Sequence, residues 1–195
     1  MDPLIIALEP AGVEIPAGIR DLASFRQWLR SPEFPERGRI DWLRGRMEVD
    51  MAPEDLETHG APKSTIATRL ATLLQERRLA RVYIDRARLA CPGSDLGVEP
   101  DVLVVLLESL RAGRVRLVPK ISGEGGQYLE VEGAADLVVE VGGDSSARRD
   151  TVRLREFYHA AGVREYWLVD ARRDPPALDV LLLRPAAYEE SPVTT

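Results

Sequence analysis

The spacing of hydrophobic residues predicts both helices and strands in the first half of the chain. Residues 21–30 and 61–80 place apolar side chains at helical spacing, which predicts two amphipathic helices. Residues 39–51 alternate between apolar and polar side chains, which predicts two short strands around a turn at Arg44-Gly45. This half therefore predicts a helix, a hairpin and a longer helix.

The second half of the chain is richer in strands. Residues 98–108 and 135–141 contain nearly continuous apolar runs, which predict strands buried on both faces. The segment between them, residues 109–130, contains many glycines and predicts a long loop or flap. Residues 151–161 predict a helix that ends at Gly162. Further strands are predicted at residues 80–90, 165–170 and 177–183.

These elements predict an α/β or α+β fold with one mixed central β-sheet flanked by helices. The chain has 195 residues, a length that suits a single domain. We expect that domain to cover residues 21–185. A flexible or loosely docked arm is expected at residues 1–20 and a frayed tail at residues 186–195.

Composition narrows the class of protein. Hydrophobic residues make up 45% and charged residues 30%, as in ordinary globular domains. No apolar run reaches the ~18 residues of a membrane span, and the single cysteine, Cys91, fits a reducing cytoplasm. The net charge of −6 argues against a protein that coats DNA through a generally basic surface. It does not exclude an enzyme with local basic patches.

Two acidic residues interrupt the buried strands. Asp101 opens one apolar run and Glu140 lies inside the other. A buried carboxylate needs a partner, a metal ion or a raised pKa, because burying it unpaired costs several kcal/mol. Either acid alone is explained by hydrogen bonds to backbone amides or by an arginine. Together, at the ends of adjacent strands, they would offer the hard oxygen ligands that a divalent cation prefers.

Other candidate chemistry is weaker. Two histidines and one cysteine do not meet the usual ligand count of a zinc site, and no phosphate-binding glycine-rich motif occurs. A basic cluster follows Glu140 and would either contact a DNA backbone or form a solvated face. Its members are Arg148, Arg149, Arg153 and Arg155.

Several segments together resemble a known family. They are VEPDVLVV, DLVVEVGGDSS, RRDTVRLREFYHAAGVREYWLVD, and RIDWLRGRMEV followed by His59. Taken together, they are similar to the Uma-two family of restriction-endonuclease-like proteins, in the PD-(D/E)XK nuclease superfamily. The resemblance runs from about Arg39 to Asp170, and its most specific part is residues 140–170.

The resemblance implies a restriction-endonuclease-like fold and a metal-dependent endonuclease that hydrolyses the phosphodiester bonds of DNA. It implies Mg²⁺, or Mn²⁺, bound by Asp101, Glu140 and the carbonyl oxygen of Val141. Such an ion lowers the pKa of a bound water from ~15.7 towards ~7 and neutralises the phosphate. Residues that match supporting positions of the family are Asp41, His59, Asp150 and Tyr158.

The chain also departs from the family pattern. Leu154 stands where the family often has a lysine, and Gly142 is the residue two positions after Glu140, where a lysine is again missing. Arg149 and Arg153 are the nearest basic residues and are predicted to steady the phosphate. Arginine stabilises charge, but it does not readily transfer a proton.

These departures keep other functions open. The first alternative is a catalytically silent nuclease fold that binds DNA or protein. Another is a metal-dependent hydrolase of a small phosphate ester, since two carboxylates do not define a substrate. For a nuclease we expect a homodimer, because a two-fold pair most simply cuts both strands of a duplex.

Overall fold

The computed structural model describes residues 4–7, 14–120, 125–142 and 153–192, and for residues 4–7 it describes the backbone. The helices are α1 (Leu22–Leu29), α2 (Ala61–Gln75), α3 (Leu107–Arg111) and α4 (Arg155–Ala161). A π-helical turn, Leu56–Gly60, leads directly into α2, and a short 3₁₀ turn covers Pro92–Ser94. No helix among the described residues is long and apolar enough to cross a membrane.

The strands of the described residues form two mixed sheets. The first sheet contains β1 (Leu4–Ala7), β2 (Arg39–Leu43), β3 (Arg46–Asp50), β5 (Arg88–Cys91), β6 (Leu96–Val98), β8 (Val115–Pro119) and β9 (Tyr128–Gly133). The second contains β4 (Ala80–Ile84), β7 (Val102–Leu106), β10 (Leu137–Val141), β11 (Glu165–Asp170), β12 (Ala177–Leu183) and β13 (Tyr188–Ser191). Their strand orders are β1-β3-β2-β6-β5-β9-β8 and β13-β12-β11-β10-β7-β4.

This architecture confirms the mixed α+β class but corrects the prediction of a single sheet. Residues 98–108 read as one strand, yet β6 pairs in the first sheet and β7 pairs in the second. Pro100 lies between them and has no N–H to donate to a continuing ladder, so the paired strand ends there. The chain crosses from one sheet to the other at this point, and Asp101 follows immediately.

Helix α1 packs on the first sheet and helix α2 packs on the second, and the sequence predicted both helices. Asp21 caps α1 by accepting a hydrogen bond from the backbone N–H of Ser24, and Phe25 packs on Trp42 of the first sheet with ring centroids 5.9 Å apart. Helix α2 packs Ala67 and Leu70 against β7 and β10 of the second sheet. It stops five residues before the predicted end at residue 80, because Arg78 takes a left-handed conformation with φ of 51°.

Helix α4 packs into the core that the two sheets share. Tyr158 and Leu154 are fully buried there, beside apolar side chains from β6, β7 and β10. The helix ends at Gly162, whose φ of +77° is the left-handed conformation that glycine adopts most easily. The predicted stop of this helix is therefore confirmed.

Three segments predicted to be irregular contain regular structure. Residues 109–130 hold the end of α3, all of β8 and the start of β9, because VRLVP and YLEVEG carry strand-like alternation on either side of the glycines. Within the predicted arm, Leu4–Ala7 pairs in parallel with β3. Within the predicted tail, β13 pairs with β12, and buried Tyr188 donates a hydrogen bond to the carbonyl oxygen of Val163.

Candidate active site

The crossing between the two sheets places Asp101 at the centre of a charged cluster. Its side chain is only 7% exposed, and Oδ2 accepts a hydrogen bond of 2.7 Å from the backbone N–H of Val141. This contact ties the start of β7 to the end of β10. Burial raises the pKa of Asp101, but the nearby charges of His59 and Arg39 and the Val141 amide outweigh it, so the pKa is lowered overall.

Arg39 joins the carboxylates that the sequence predicts. Its Nε donates to Asp41 Oδ2 at 2.9 Å, and its Nη2 lies 3.2 Å from Glu140 Oε1. Its Nη1 lies 4.0 Å from Asp101 Oδ1. Asp41 in turn accepts a hydrogen bond from the backbone N–H of Glu99 at 2.9 Å. The predicted acids Asp41, Asp101 and Glu140 therefore do meet, and a guanidinium stands among them.

Glu140 is fully buried, and α4 supplies a second donor to it. The hydroxyl of Tyr158 donates to Glu140 Oε1 at 2.7 Å. Burial and the neighbouring carboxylate raise the pKa of Tyr158 well above its ordinary value, so this phenol stays a proton donor. Tyr158 is thus brought to the site as predicted, and its contact is with Glu140.

The arrangement limits how Asp101 and Glu140 bind a metal ion. Both offer carboxylate oxygens, which suit Mg²⁺. However, Arg39 reaches both oxygens of Glu140 at 3.2–3.3 Å, and Tyr158 already donates to one of them. Mg²⁺ also keeps several of its waters when it binds, and Glu140 is 0% exposed. As arranged, the pair does not fit one shared divalent ion.

The open side of Asp101 faces His59. The π-helical turn that carries His59 is capped by Asp55, which accepts from the backbone N–H groups of Glu57 and Thr58. His59 Nε2 lies 3.3 Å from Asp101 Oδ2, and Nδ1 lies 3.2 Å from Glu54 Oε2. The ring is therefore held between two carboxylates.

The two carboxylates determine the charge of the ring. Burial lowers the pKa of His59, but Asp101 and Glu54 outweigh it and raise the pKa to about 10. Contact with His59 and then Lys63 lowers the pKa of Glu54 to about 2. His59 is therefore an imidazolium at neutral pH, between two ionised acids.

Lys63 extends the same chain of charges. Its Nζ lies 2.6 Å from Glu54 Oε2 and 2.8 Å from Asp85 Oδ1. Burial lowers the pKa of Lys63, but its contacts with Asp85 and Glu54 more than compensate, so its pKa is raised and it stays charged. Its ammonium group is the lysine cation closest to the predicted site among the described residues, although it is on α2 rather than on α4.

These side chains line a pocket with a volume of about 660 Å³. Its wall contains Asp101, Val141, His59 and Arg39 of the predicted or observed cluster, and Glu140 is not part of it. The described lining also carries the charged side chains of Asp50, Glu54, Asp55, Lys63, Asp85, Arg86, Glu99 and Arg172. With the imidazolium of His59 included, the wall carries six acidic and five cationic side chains, so it is strongly charged with a small excess of acids.

The predicted basic residues lie elsewhere. Arg148, Arg149 and Asp150 fall outside the described residues. Arg153 Nη1 donates to Glu48 Oε1 at 2.5 Å, and Arg155 Nη2 donates to the carbonyl oxygen of Tyr188 at 3.3 Å. Neither side chain is part of the pocket lining. Their predicted roles towards phosphate or DNA stay predictions.

Sequence reasoning missed Arg39, Glu54 and Lys63. A signal for two of them was present. Arg39 is two residues before Asp41 on a strand, so both side chains point to the same face. Lys63 is four residues after His59 in a helical segment, and such residues are neighbours on the helix surface. Glu54 precedes the turn without a regular period, so no pattern indicated it.

Comparison with solved structures identifies a protein with the same fold. A solved structure from Anabaena variabilis, described as "a putative nuclease belonging to DUF820", is 18% identical and covers 89% of this chain and 89% of its own, with a TM-score of 0.64. The two share the restriction-endonuclease-like fold. The search of the curated proteins found no match.

The family model is more specific. The Uma2 family, described as "Putative restriction endonuclease", matches residues 22–195. This match covers most of the chain, so the protein belongs to the Uma2 family. The resemblance inferred from the sequence is confirmed.

Proposed function

We propose that this protein is a divalent-metal-dependent endonuclease that hydrolyses phosphodiester bonds of DNA. The observation that carries the proposal is the placement of Asp101, a buried and ionised carboxylate, in the wall of a strongly charged pocket in a member of this family. A bound divalent cation would supply an activated water and would neutralise the scissile phosphate. Asp101 is the buried carboxylate of this cluster that reaches such an ion from the pocket wall.

The remaining pocket residues have separate tasks in this proposal. Arg39 pairs with Glu140 and Asp41 and holds the end of β10 in place beside Asp101. Lys63 brings a positive charge into the pocket, where it would stabilise the extra negative charge of the transition state. It would do so from α2, in place of the lysine that is missing at Leu154.

The closing test is nicking of supercoiled plasmid DNA by the full chain with Mg²⁺ or Mn²⁺. We expect cutting that EDTA abolishes and that Asp101→Asn loses. Glu132→Gln is the matched control, because it removes a carboxylate charge from the first sheet, away from the pocket lining. Cutting that survives EDTA, or that Asp101→Asn retains, contradicts the proposal.

A second candidate is a catalytically silent nuclease fold that binds DNA or protein. The observation that favours it is Arg39, whose guanidinium already pairs with Glu140 and lies 4.0 Å from Asp101, the two acids assigned to the metal. A silent module would bind duplex DNA or a protein partner with an affinity that does not change with EDTA, and it would not nick plasmid. The same assay, run beside a DNA gel-shift measurement, therefore separates the two candidates.

Dimerisation is also part of the proposal. A two-fold pair would bring one active site to each strand of the duplex. Light scattering on the purified chain tests it: a dimeric mass supports paired cutting, and a monomeric mass together with nicking of one strand only contradicts it.

A further inference from the structure

The metal-ligating side chains on the open side of Asp101 lie apart from Glu140. One oxygen of Glu54, one ring nitrogen of His59 and one oxygen of Asp101 all lie within 4.8 Å of one another. We propose that these three residues form the cation site of this chain. In it, His59 Nε2 and Asp101 Oδ2 bind a divalent transition-metal ion directly, and Glu54 orients the imidazole. The role of this ion in catalysis rests on the proposed function. The proposed ligands differ from those that the family resemblance implies, which are Asp101, Glu140 and the carbonyl oxygen of Val141.

The distance between the two direct ligands suits an ion between them. His59 Nε2 lies 3.3 Å from Asp101 Oδ2. Two ligand atoms that are each about 2.1 Å from one ion lie about 3.0–3.4 Å apart. The Val141 amide holds Oδ2 in place at 2.7 Å, and both ligands line the pocket, where water and a phosphate oxygen can complete the coordination.

Glu54 stands where the outer partner of a metal-bound histidine belongs. His59 Nδ1 is buried and forms no well-aligned hydrogen bond with the described residues, although Glu54 Oε2 is only 3.2 Å away. Metal-binding histidines usually donate their second N–H to a carboxylate, which fixes the ring. The Glu54 side chain is 52% exposed, and Lys63 donates to both of its oxygens, which keeps the carboxylate beside the ring.

The mixed nitrogen and oxygen ligands also indicate the class of ion. Imidazole favours transition-metal ions over Mg²⁺, which prefers oxygen ligands alone. The ion takes the place of the proton on Nε2, and that proton is released to water. On the opposite side of Asp101, the guanidinium of Arg39 contacts Glu140 and Asp41 and occupies the space between them, so the open side for an ion is the pocket side.

The test is binding of Mn²⁺ to the full chain after dialysis against EDTA, followed by calorimetry and by pulsed electron paramagnetic resonance. We expect one Mn²⁺ per chain and a nitrogen coupling from a coordinated imidazole. His59→Gln should remove the nitrogen coupling. Glu54→Gln should weaken binding by about 10–100-fold, the loss typical of an outer-shell partner.

His159→Gln is the matched control. It makes the same change in a histidine whose ring contacts the carbonyl oxygen of Arg184 and does not line the pocket. It should leave both the affinity and the nitrogen coupling unchanged. The proposal is overturned if wild type binds Mn²⁺ without nitrogen coupling, if it binds none, or if Glu54→Gln binds as tightly as wild type. Glu54 is half exposed, so this last variant should fold normally.

Nicking measured on the same samples separates this inference from the proposed function. Mn²⁺ bound with nitrogen coupling but without DNA cutting supports the site and contradicts the nuclease. Metal-dependent cutting by a chain whose Mn²⁺ shows no nitrogen coupling supports the nuclease and contradicts the site.

Discussion

This protein contains two networks of ion pairs that differ in their surroundings. The sheet network joins α1 to the first sheet, and its members are Arg26, Arg30, Arg116, Glu130 and Glu132. The pocket network surrounds the crossing between the sheets, and its members are Asp41, Glu54, Asp85, Asp101, Glu140, Arg39, His59 and Lys63.

The balance of charge separates the two networks. The sheet network sets three arginines against two glutamates, and none of its members lines the pocket. The pocket network sets five carboxylates against three cationic side chains beside a cavity of about 660 Å³. In the sheet network the arginines outnumber the glutamates, whereas in the pocket network the carboxylates outnumber the cationic side chains beside open space, which favours an external cation.

The largest stability change should come from removing Arg39, which contacts the buried acids of the pocket network. Arg39→Met removes the guanidinium and leaves Asp41 and Glu140 buried without it, which should lower the free energy of unfolding by about 3–5 kcal/mol. Urea denaturation measures this loss. With Arg39 gone, Mg²⁺ should raise the midpoint of Arg39→Met more than that of wild type, because an ion can then enter. An unchanged midpoint without metal would show that Arg39 does not neutralise this cluster.

The corresponding break in the sheet network should be smaller. Glu130→Met leaves Arg26 and Arg30 short of one carboxylate. The loss should be about 2–3 kcal/mol, less than for a fully buried pair because both arginines reach solvent. Urea denaturation should show no effect of Mg²⁺ or Mn²⁺ on this loss. A metal effect here equal to that of Arg39→Met would remove the distinction between the networks.

The hydrogen bond between Tyr158 of α4 and Glu140 should contribute less to the free energy of unfolding than either ion-pair network. Tyr158→Phe removes the hydroxyl donor from a fully buried carboxylate oxygen and should cost about 1–2 kcal/mol. Thermal unfolding should report it as a fall of a few degrees. If Tyr158→Phe unfolds at the wild-type temperature, the Tyr158 contact does not support Glu140.

Arg153→Met removes the ion-pair partner of Glu48, a carboxylate whose side chain is only 2% exposed. Leaving this acceptor buried and unpaired should lower the free energy of unfolding by about 1–3 kcal/mol, which urea denaturation measures.

A comparison of Arg153 with Lys63 identifies the phosphate-binding cation. Because Lys63 lines the pocket and Arg153 does not, Lys63→Met should reduce nicking by about 10-fold more than Arg153→Met, as expected for a group that contacts the developing charge. The reverse order, measured as initial rates, would assign the phosphate to Arg153.

The sequence predicted most of the local structure, because periodicity and capping act over a few residues. Helix α1 begins after Asp21 and helix α4 ends at Gly162, as their patterns indicate. The partners of each strand were not predictable in the same way. Pro100 divides an apolar run between two sheets, and only the paired structure reveals that Asp101 marks a crossing.

The site residues that were predicted are those with a local signal in the sequence, and the ones that were missed depend on long-range contacts. Asp101 and Glu140 are acids within apolar runs, so the sequence alone identifies each as unusual. The structure brings both close to Arg39. Glu54 carries no such signal, since it precedes the turn in an irregular segment and meets His59 only in the folded chain. The contribution of Lys63 likewise depends on how α2 packs against the second sheet.

The most direct test of the central claim is the initial rate of plasmid nicking by wild type and Asp101→Asn, with Mn²⁺ and with EDTA. The rates should be compared at a temperature where both chains are folded. We expect metal-dependent cutting by wild type and a loss of at least about 10²-fold in Asp101→Asn, the scale of removing one electrostatic contact to the reacting group. Equal metal-dependent rates in the two chains would contradict the assignment of the active site to this pocket.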